Sequence, residues 1–178
     1  MHQTTTPHIN LQPTLANDLV TIVPLQTSDF ERLYSVASDP LVWEQHPNKD
    51  RYKREVFENF FEGAMASKGA FLVLDNSTGE VIGSSRYYDL DLENKSVFIG
   101  YTFLARACWG GQYNRALKKL MLDHAFTFAN KVLFHIGKTN IRSQTAMERL
   151  GGKKIDEISI AYYGEATKTN FVYEIALE

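Results

Sequence analysis

The stretch that decides the fold is residues 99–117, Ile-Gly-Tyr-Thr-Phe-Leu-Ala-Arg-Ala-Cys-Trp-Gly-Gly-Gln-Tyr-Asn-Arg-Ala-Leu. It predicts a buried strand, then a turn that contains Gly110 and Gly111, and then an amphipathic helix from Asn114. A helix that begins in this way presents free backbone N–H groups, which bind anions and phosphate groups in particular.

The first turns of this predicted helix carry three cations, Arg115, Lys118 and Lys119. Cations at a helix N-terminus oppose the helix dipole unless an anion is bound nearby. The segment by itself is equally consistent with an anion site and with an ordinary surface turn followed by solvated cations.

The bulk composition of the chain is that of a globular protein. Its 178 residues fit one domain, with 44% hydrophobic and 22% charged residues. A net charge of −2 argues against a general affinity for nucleic acid. The lone Cys108 cannot form an internal disulfide, which fits a reducing compartment. Since no signal peptide or membrane-spanning run is evident, we expect a soluble, cytoplasmic protein.

Hydrophobic periodicity predicts an α/β (α+β) domain over residues 18–178, preceded by a flexible or loosely docked leader, residues 1–17. Short turns between consecutive strands imply antiparallel pairing, with one strand–helix–strand unit at the centre. We therefore expect a mixed, largely antiparallel sheet flanked by helices. The predicted strands are 19–25, 70–75, 81–90, 96–105, 131–136, 153–160 and 170–177, and the predicted helices are 28–37, 51–67, 114–129 and 141–150.

Four segments in this order resemble the GNAT superfamily of N-acetyltransferases, in the branch that contains ribosomal-protein N-terminal acetyltransferases. Each motif is weak alone, but their order around this secondary structure is specific, and the resemblance covers about residues 14–177. The segments are 19–25 followed by Asp29, Gly79-Glu80-Val81-Ile82-Gly83, Ile99-Gly100-Tyr101 with 109–114, and Asn140-Ile141-Arg142-Ser143 with Ala146 and Leu150-Gly151.

The resemblance implies that acetyl-coenzyme A is the co-substrate and that its pantetheine arm lies between two diverging strands. The backbone of the strand end would serve the pantetheine, the N–H groups of the loop would cradle the diphosphate, and the start of the last helix would line the far side. The residues placed there are Phe103, Leu104, Trp109, Gly110, Gly111, Gln112, Tyr113, Asn114, Asn140 and Ser143. Asn140 also suits a helix N-cap, and Ser143 a local backbone hydrogen bond.

The sequence departs from the family pattern where proton transfer is concerned. Phe98 stands where many relatives carry a glutamate, and Met147 where many carry a tyrosine that protonates the leaving thiolate. We therefore take His46 and Tyr101 as catalytic candidates, with Glu44 and Tyr88 as further candidates. Catalysis by positioning alone remains an alternative.

The acceptor is expected near the segment 41–47, Leu-Val-Trp-Glu-Gln-His-Pro, because this family shapes its acceptor pocket there. An ammonium group would suit the ring face of Trp43 and the charge of Glu44. Arg86 would favour a carboxylate if it faces the cleft. The alternatives are a packed helix–loop junction for Trp43 and Glu44 and a surface position for Arg86.

The sequence thus predicts an acetyl-CoA-dependent N-acetyltransferase that acts directly on a primary amine, which is a protein N-terminus, an amino acid or a small amine. A transferase that uses another acyl donor, and a non-catalytic domain that senses acyl-CoA, are the alternatives. The spacing of His, Cys and acidic residues predicts no metal site. A homodimer is expected only by resemblance.

Overall fold

One eight-stranded sheet carries the fold in the computed structural model, which describes residues 8–162 and 164–178. Its strands are β1 (Leu15–Ala16), β2 (Val20–Pro24), β3 (Ala70–Asp75), β4 (Val81–Asp91), β5 (Ser96–Leu104), β6 (Lys131–Gly137), β7 (Lys153–Ile160) and β8 (Lys168–Ala176). The helices are α1 (Phe30–Ala37), α2 (Arg54–Ser67), α3 (Tyr113–Ala125) and α4 (Ile141–Arg149).

The strand order is β1-β2-β3-β4-β5-β6-β8-β7, and every neighbouring pair is antiparallel except β5 and β6. This confirms the predicted mixed, largely antiparallel sheet flanked by helices. The parallel pair is joined by α3, so it is the strand–helix–strand unit that residues 99–117 predicted.

Predicted and observed helix boundaries differ by one or two residues at the start of α1, the start of α3 and the end of α4, and by three or four residues at two further ends. α2 begins at Arg54 rather than Arg51, because Lys53 before it has an extended backbone. α3 ends at Ala125 rather than residue 129, since the chain tightens there into a turn in which Phe128 N–H donates to the Ala125 carbonyl. Both differences lie at helix ends, where propensity is least decisive.

Part of the predicted leader is docked on the sheet. Leu15 and Ala16 pair with Ile22 and Thr21 of β2, and Leu11 packs with Leu15 against the core. Residues 1–7 of the leader lie outside the described residues.

The sheet separates two hydrophobic clusters, because alternate residues of a strand point to opposite faces. On one face Ile99 and Leu104 of β5 pack with Leu117 and Met121 of α3. On the other face Phe103 of β5 packs against the aromatic residues of α1 and α2. β5 is therefore covered on both faces, and it contributes residues to both hydrophobic clusters.

β5 and β6 pair only over their first residues, from Ser96–Lys131 to Phe98–Leu133. Both strands continue beyond this point, β5 to Leu104 and β6 to Gly137, without a ladder between them. The divergence leaves a wedge that opens towards the C-terminal ends of two parallel strands. A wedge of this kind exposes unpaired backbone groups to whatever occupies it.

A β-bulge lies at the edge of the wedge. The pairing of β4 with β5 shifts between Ser84 and Arg86, and Tyr101 opposite them has a left-handed backbone with φ of 54°. A bulge re-aims the side chains next to it. As a result Tyr101 and Phe103 point to the α1/α2 face and Thr102 points towards α3.

Among the described residues, no helix combines the length and the apolar character needed to cross a bilayer.

Replacing Phe57 by alanine should destabilise the protein by about 3–5 kcal/mol, because a large buried ring is lost and a cavity remains. Phe57 is fully buried in α2 and its ring contacts those of Phe30, Tyr34, Phe60 and Phe103. Urea unfolding measures the effect. Leu92→Ala, at a side chain that is 57% exposed, is the control and should cost less than about 0.5 kcal/mol.

Candidate functional site

The wedge between β5 and β6 holds a cavity of about 710 Å³. Its walls come from the ends of both strands, from the loop and first turns of α3, from the start of α4 and from the segment before α2. Eight of the ten residues expected around a coenzyme line this cavity, six from the loop and the helix starts and two from β5. They are Trp109, Gly110, Gly111, Asn114, Asn140 and Ser143, with Phe103 and Leu104.

The wall of this cavity, which is the larger of the two described here, is strongly cationic. Its charged lining residues are Arg51, Arg115, Lys118, Arg142 and Arg149, and the described lining contains no aspartate or glutamate. Only Arg51 among them forms an ion pair with a described residue, Glu165, at 2.9 Å. Such an excess of uncompensated cations favours a ligand with several negative charges.

The loop before α3 supplies backbone donors to the same cavity. Gly110 has a left-handed φ of 69°, which a glycine adopts without strain. The first backbone hydrogen bond of the helix runs from Ala116 N–H to the Gln112 carbonyl, and no side chain caps the N–H groups ahead of it. These free donors and the helix dipole would favour an anion bound there, which is one of the two interpretations that the sequence left open.

Two residues expected at this site point elsewhere. Gln112 is exposed and precedes the first turn of α3 without lining either cavity described here. Tyr113 turns away and donates its hydroxyl hydrogen to Asp75 Oδ2 at 3.0 Å. Any contribution of these two residues to anion binding would therefore come from their backbone N–H groups and not from their side chains.

The start of α4 forms the opposite wall. Asn140 is buried and its Oδ1 accepts a hydrogen bond from Ser143 N–H at 3.3 Å, so it is the N-cap of the helix. Both side chains also line the larger cavity. The two roles that the sequence left open for Asn140 are thus compatible in one position.

An indole joins the loop to β5. Trp109 Nε1 donates to the Leu104 carbonyl at 2.9 Å, and the guanidinium carbon of Arg142 lies 3.6 Å from the centre of the Trp109 ring. The stack holds a cation from α4 over the loop before α3. It therefore closes the larger cavity on the side of the α3 N-terminus.

A smaller cavity of about 430 Å³ lies on the α1/α2 face. Tyr88, Tyr101 and Tyr162 line both cavities, and the ring of Tyr101 lies 5.1 Å from that of Tyr88 and 5.0 Å from that of Tyr162 between centroids. These three tyrosine rings therefore form a wall between the larger, cationic cavity and the smaller one, and we call them the tyrosine wall.

Arg86 belongs to the smaller cavity and is itself buried. Its guanidinium carbon lies 3.7 Å from the centre of the Tyr101 ring, and Nη2 donates to the Phe60 carbonyl at 3.2 Å. No carboxylate of the described residues forms an ion pair with it, and burial lowers its pKa to about 10. A buried guanidinium that meets no carboxylate among the described residues suits an anionic group of a ligand.

The structure divides the segment 41–47. Trp43 is fully buried, donates Nε1–H to the Ala37 carbonyl at 2.8 Å and packs on Phe103, so the expected contact with an acceptor is replaced by a core position. Glu44 is exposed, and like Trp43 it does not line either cavity described here. The helix–loop junction that the sequence offered as the alternative is what the structure shows for both residues.

His46 lines the larger cavity, packed edge-on against Trp43. Burial lowers its pKa to about 3, and the positive charges of Arg51 and Arg142 contribute in the same direction. The imidazole is therefore neutral in the physiological range and has little tendency to take up a proton.

Two tyrosines stand where the cavities meet. Burial raises the pKa of Tyr101, against the opposing influence of Arg86 and Arg51, and raises the pKa of Tyr88 still further. Tyr88 hydroxyl lies 2.9 Å from His135 Nδ1. Both phenols are neutral at physiological pH and can donate hydrogen bonds to either cavity.

Sequence reasoning did not assign Lys118 or His135 to the site. Lys118 follows Leu117 and precedes Met121 by three residues, so helical spacing places it on the inward stripe of α3. This helical spacing could have indicated from the sequence that Lys118 faces inward. For His135, an apolar strand around a histidine gives no indication that β6 borders a wedge.

No group of three or more His, Cys, Asp or Glu side chains in the described part of the chain could hold a metal ion.

Comparison with known sequences gives one family match. The model of the family described as "Acetyltransferase (GNAT) domain" matches residues 20–153. No match to a curated protein was found.

Solved structures share the fold at low sequence identity. A GCN5-related N-acetyltransferase from Brucella melitensis is 16% identical with a TM-score of 0.80, over 93% of this chain and 79% of that one. RimJ of Mycobacterium smegmatis, solved with CoA-disulfide, is 18% identical with a TM-score of 0.69, over 88% of this chain and 81% of that one. A candidate ribosomal-protein-serine acetyltransferase from Vibrio cholerae is 12% identical with a TM-score of 0.71, over 92% of this chain and 97% of that one.

Replacing His46 by asparagine should make the protein less sensitive to acid. In the folded protein its pKa is about 3 against 6.5 ordinarily, so unfolding takes up a proton between these values and wild-type stability falls as the pH drops through them. The free energy of unfolding of His46→Asn should fall less steeply, by about 1 kcal/mol per pH unit. Parallel curves for the two proteins over this range would show that His46 titrates normally.

Proposed function

Because the chain belongs to the GNAT acetyltransferase family, we propose that it transfers an acetyl group from acetyl-CoA directly to a primary amine. The observation that carries the proposal is the cationic cavity in the β5–β6 wedge, which meets a second cavity at a wall of tyrosine rings. Two cavities that meet at one wall suit a reaction in which two substrates react directly, without a covalent enzyme intermediate.

The larger cavity fits the donor. Coenzyme A carries a diphosphate and a further phosphate, and the free N–H groups of residues 110–115 would hold the diphosphate at the start of α3. Arg115, Arg142 and Arg149 supply the positive charge in the same wall. When bound, the coenzyme supplies an acyl group already activated as a thioester, so the protein has to align it and manage protons.

The smaller cavity fits the acceptor. It opens on the α1/α2 face, and its inner wall of Tyr88, Tyr101 and Tyr162 is shared with the donor side. Arg86, which forms no ion pair with a described residue, offers its guanidinium there. We therefore assign as acceptor an amine that also bears an anionic group, such as an amino acid or the N-terminal residues of an acidic peptide.

The alternative of a non-catalytic acyl-CoA sensor is favoured by two specific observations. Met147, buried in the wall of the larger cavity, occupies the place of the family's proton-donating tyrosine, and the neutral His46 offers no base. A sensor would bind the coenzyme and release no thiol with any amine.

Isothermal titration should show micromolar binding of acetyl-CoA, and Arg142→Ala should weaken it about tenfold or more, because a charge-assisted contact is lost in a partly buried wall. Arg32→Ala is the matched control, since Arg32 is exposed and pairs with Asp29 away from either cavity. Absence of binding to the wild-type protein would remove the coenzyme from the proposal.

Arg86→Met should discriminate between acceptors. For amines that carry a carboxylate we expect the KM to rise about tenfold to a hundredfold, whereas their methyl esters or amides should be little affected. Thiol release in an amine panel measures this, with Arg106→Met at an exposed arginine as the control. Equal losses for charged and neutral acceptors would contradict the anionic acceptor, and no turnover on any amine would favour the sensor.

A further inference from the structure

Lys118 is a buried cation in the donor cavity. Its side chain is only 6% exposed, on the inner side of α3, and it lines the larger cavity. Nζ donates a hydrogen bond of 2.6 Å to Thr102 Oγ1, and the Thr102 hydroxyl lies 2.8 Å from that of Ser85. Lys118 is thus held against β5 one residue beyond the bulge at Tyr101.

Nothing charged within the described protein compensates Lys118. None of its hydrogen bonds or ion pairs involves a carboxylate, and the titratable groups that share its cavity are neutral or cationic. They are Arg115 from α3, Cys108 before α3, Arg142 and Arg149 from α4, His135 from β6, Tyr88 and Tyr101 from β4 and β5, Tyr162 before β8, and His46 and the paired Arg51 before α2.

A buried ammonium without a counter-charge costs folding free energy, because its hydration is lost and a single neutral hydroxyl replaces it. Burial accordingly lowers the pKa of Lys118 to about 7. A methionine or leucine would fill the same space on α3 without that cost. An expensive charge placed in a ligand cavity indicates a role in which negative charge arises next to it.

The position of Lys118 selects between the two substrates. The acceptor cavity is lined by α2 and lies on the α1/α2 face, whereas Lys118 reaches β5 from α3 on the opposite face. The tyrosine wall stands between them. Lys118 therefore faces the donor side of the transfer and not the incoming amine.

We propose that Lys118 is a catalytic residue whose ammonium holds and protonates the sulfur that leaves the donor. This inference rests on the proposed function. As the acceptor nitrogen bonds to the acyl carbon, the carbon–sulfur bond breaks and its electron pair remains on sulfur. Lys118 Nζ–H gives its proton to that sulfur, which becomes a thiol. The proton lost by the acceptor nitrogen, carried through solvent, restores the ammonium.

The acidity of Lys118 suits this step. A thiol has an ordinary pKa of about 8.5, so an ammonium of pKa about 7 gives it a proton readily, whereas an ordinary lysine of pKa about 10.4 does so poorly. Met147 has no proton at the family's usual position, so this donor compensates for a loss that the sequence itself shows.

The first test is stability, which needs no substrate. Lys118→Met should be at least as stable as the wild type, and its advantage should grow as the pH falls from 10.5 towards 7, because the ammonium is penalised in the folded protein over that range. Lys119→Met, at the exposed neighbour paired with Asp123, is the control and should show no such pH-dependent gain. A purely structural lysine would give the opposite result, a less stable Lys118→Met.

The second test follows the sulfur in the binary complex. Titration calorimetry should show that the wild type prefers CoA over desulfo-CoA and that Lys118→Met loses most of this preference. An equal preference in both proteins would overturn the proposal.

The third test is turnover at saturating acceptor. Lys118→Met should lower kcat by a hundredfold or more with little change in acetyl-CoA affinity, and the wild-type kcat should decline on the alkaline side through a limb that Lys118→Met lacks. Thr102→Val removes the hydroxyl that holds the ammonium and should move that limb to lower pH. Unchanged kcat in Lys118→Met would overturn the role of Lys118. If the wild type binds no acetyl-CoA, the proposed function itself fails, whereas binding with intact kcat in the variant refutes only this inference.

Discussion

The end of the β5–β6 ladder at Phe98 and Leu133 is the constraint on which the rest of the structure depends. Two parallel strands that diverge leave backbone donors and acceptors without partners. Such groups cost folding free energy unless something binds them. α3 begins where the wedge opens, so its own unsatisfied N–H groups face the same space. A long anionic ligand that can also bond along a strand edge satisfies both sets at once.

Each of the two cavities is lined by a buried cation that pairs with no described carboxylate. Lys118 in the larger cavity and Arg86 in the smaller one are each desolvated, and neither meets a carboxylate in the described protein. Since such charges oppose folding, they are retained where a ligand supplies the missing negative charge. The net charge of −2 for the whole chain hides this arrangement, because the acidic residues lie outside the larger cavity.

The fold could be predicted because local patterns and tertiary structure agree. The apolar run 99–104, the glycines of the loop and the helical stripe of α3 all indicate the strand–turn–helix unit that the structure contains. The site could be predicted as far as it depends on backbone, at Gly110 and at the Asn140 cap. Side-chain roles could be predicted less well from the sequence. Trp43, which was expected to contact an acceptor, lies in the core, and Lys118, which was expected among the cations of the first turns of α3, is buried beside the larger cavity.

Burial decides which titratable groups beside the larger cavity hold a proton and which do not. His46, the group with the most suitable ordinary pKa, is disabled by burial beside Arg51 and Arg142, and Tyr88 and Tyr101 keep their protons because their burial opposes the phenolate. Desolvation acts in the opposite sense on Lys118, since it makes an ammonium a better acid. The same burial that keeps His46 unprotonated and the tyrosines protonated therefore makes Lys118 the acidic group that the proposed protonation of the departing sulfur requires.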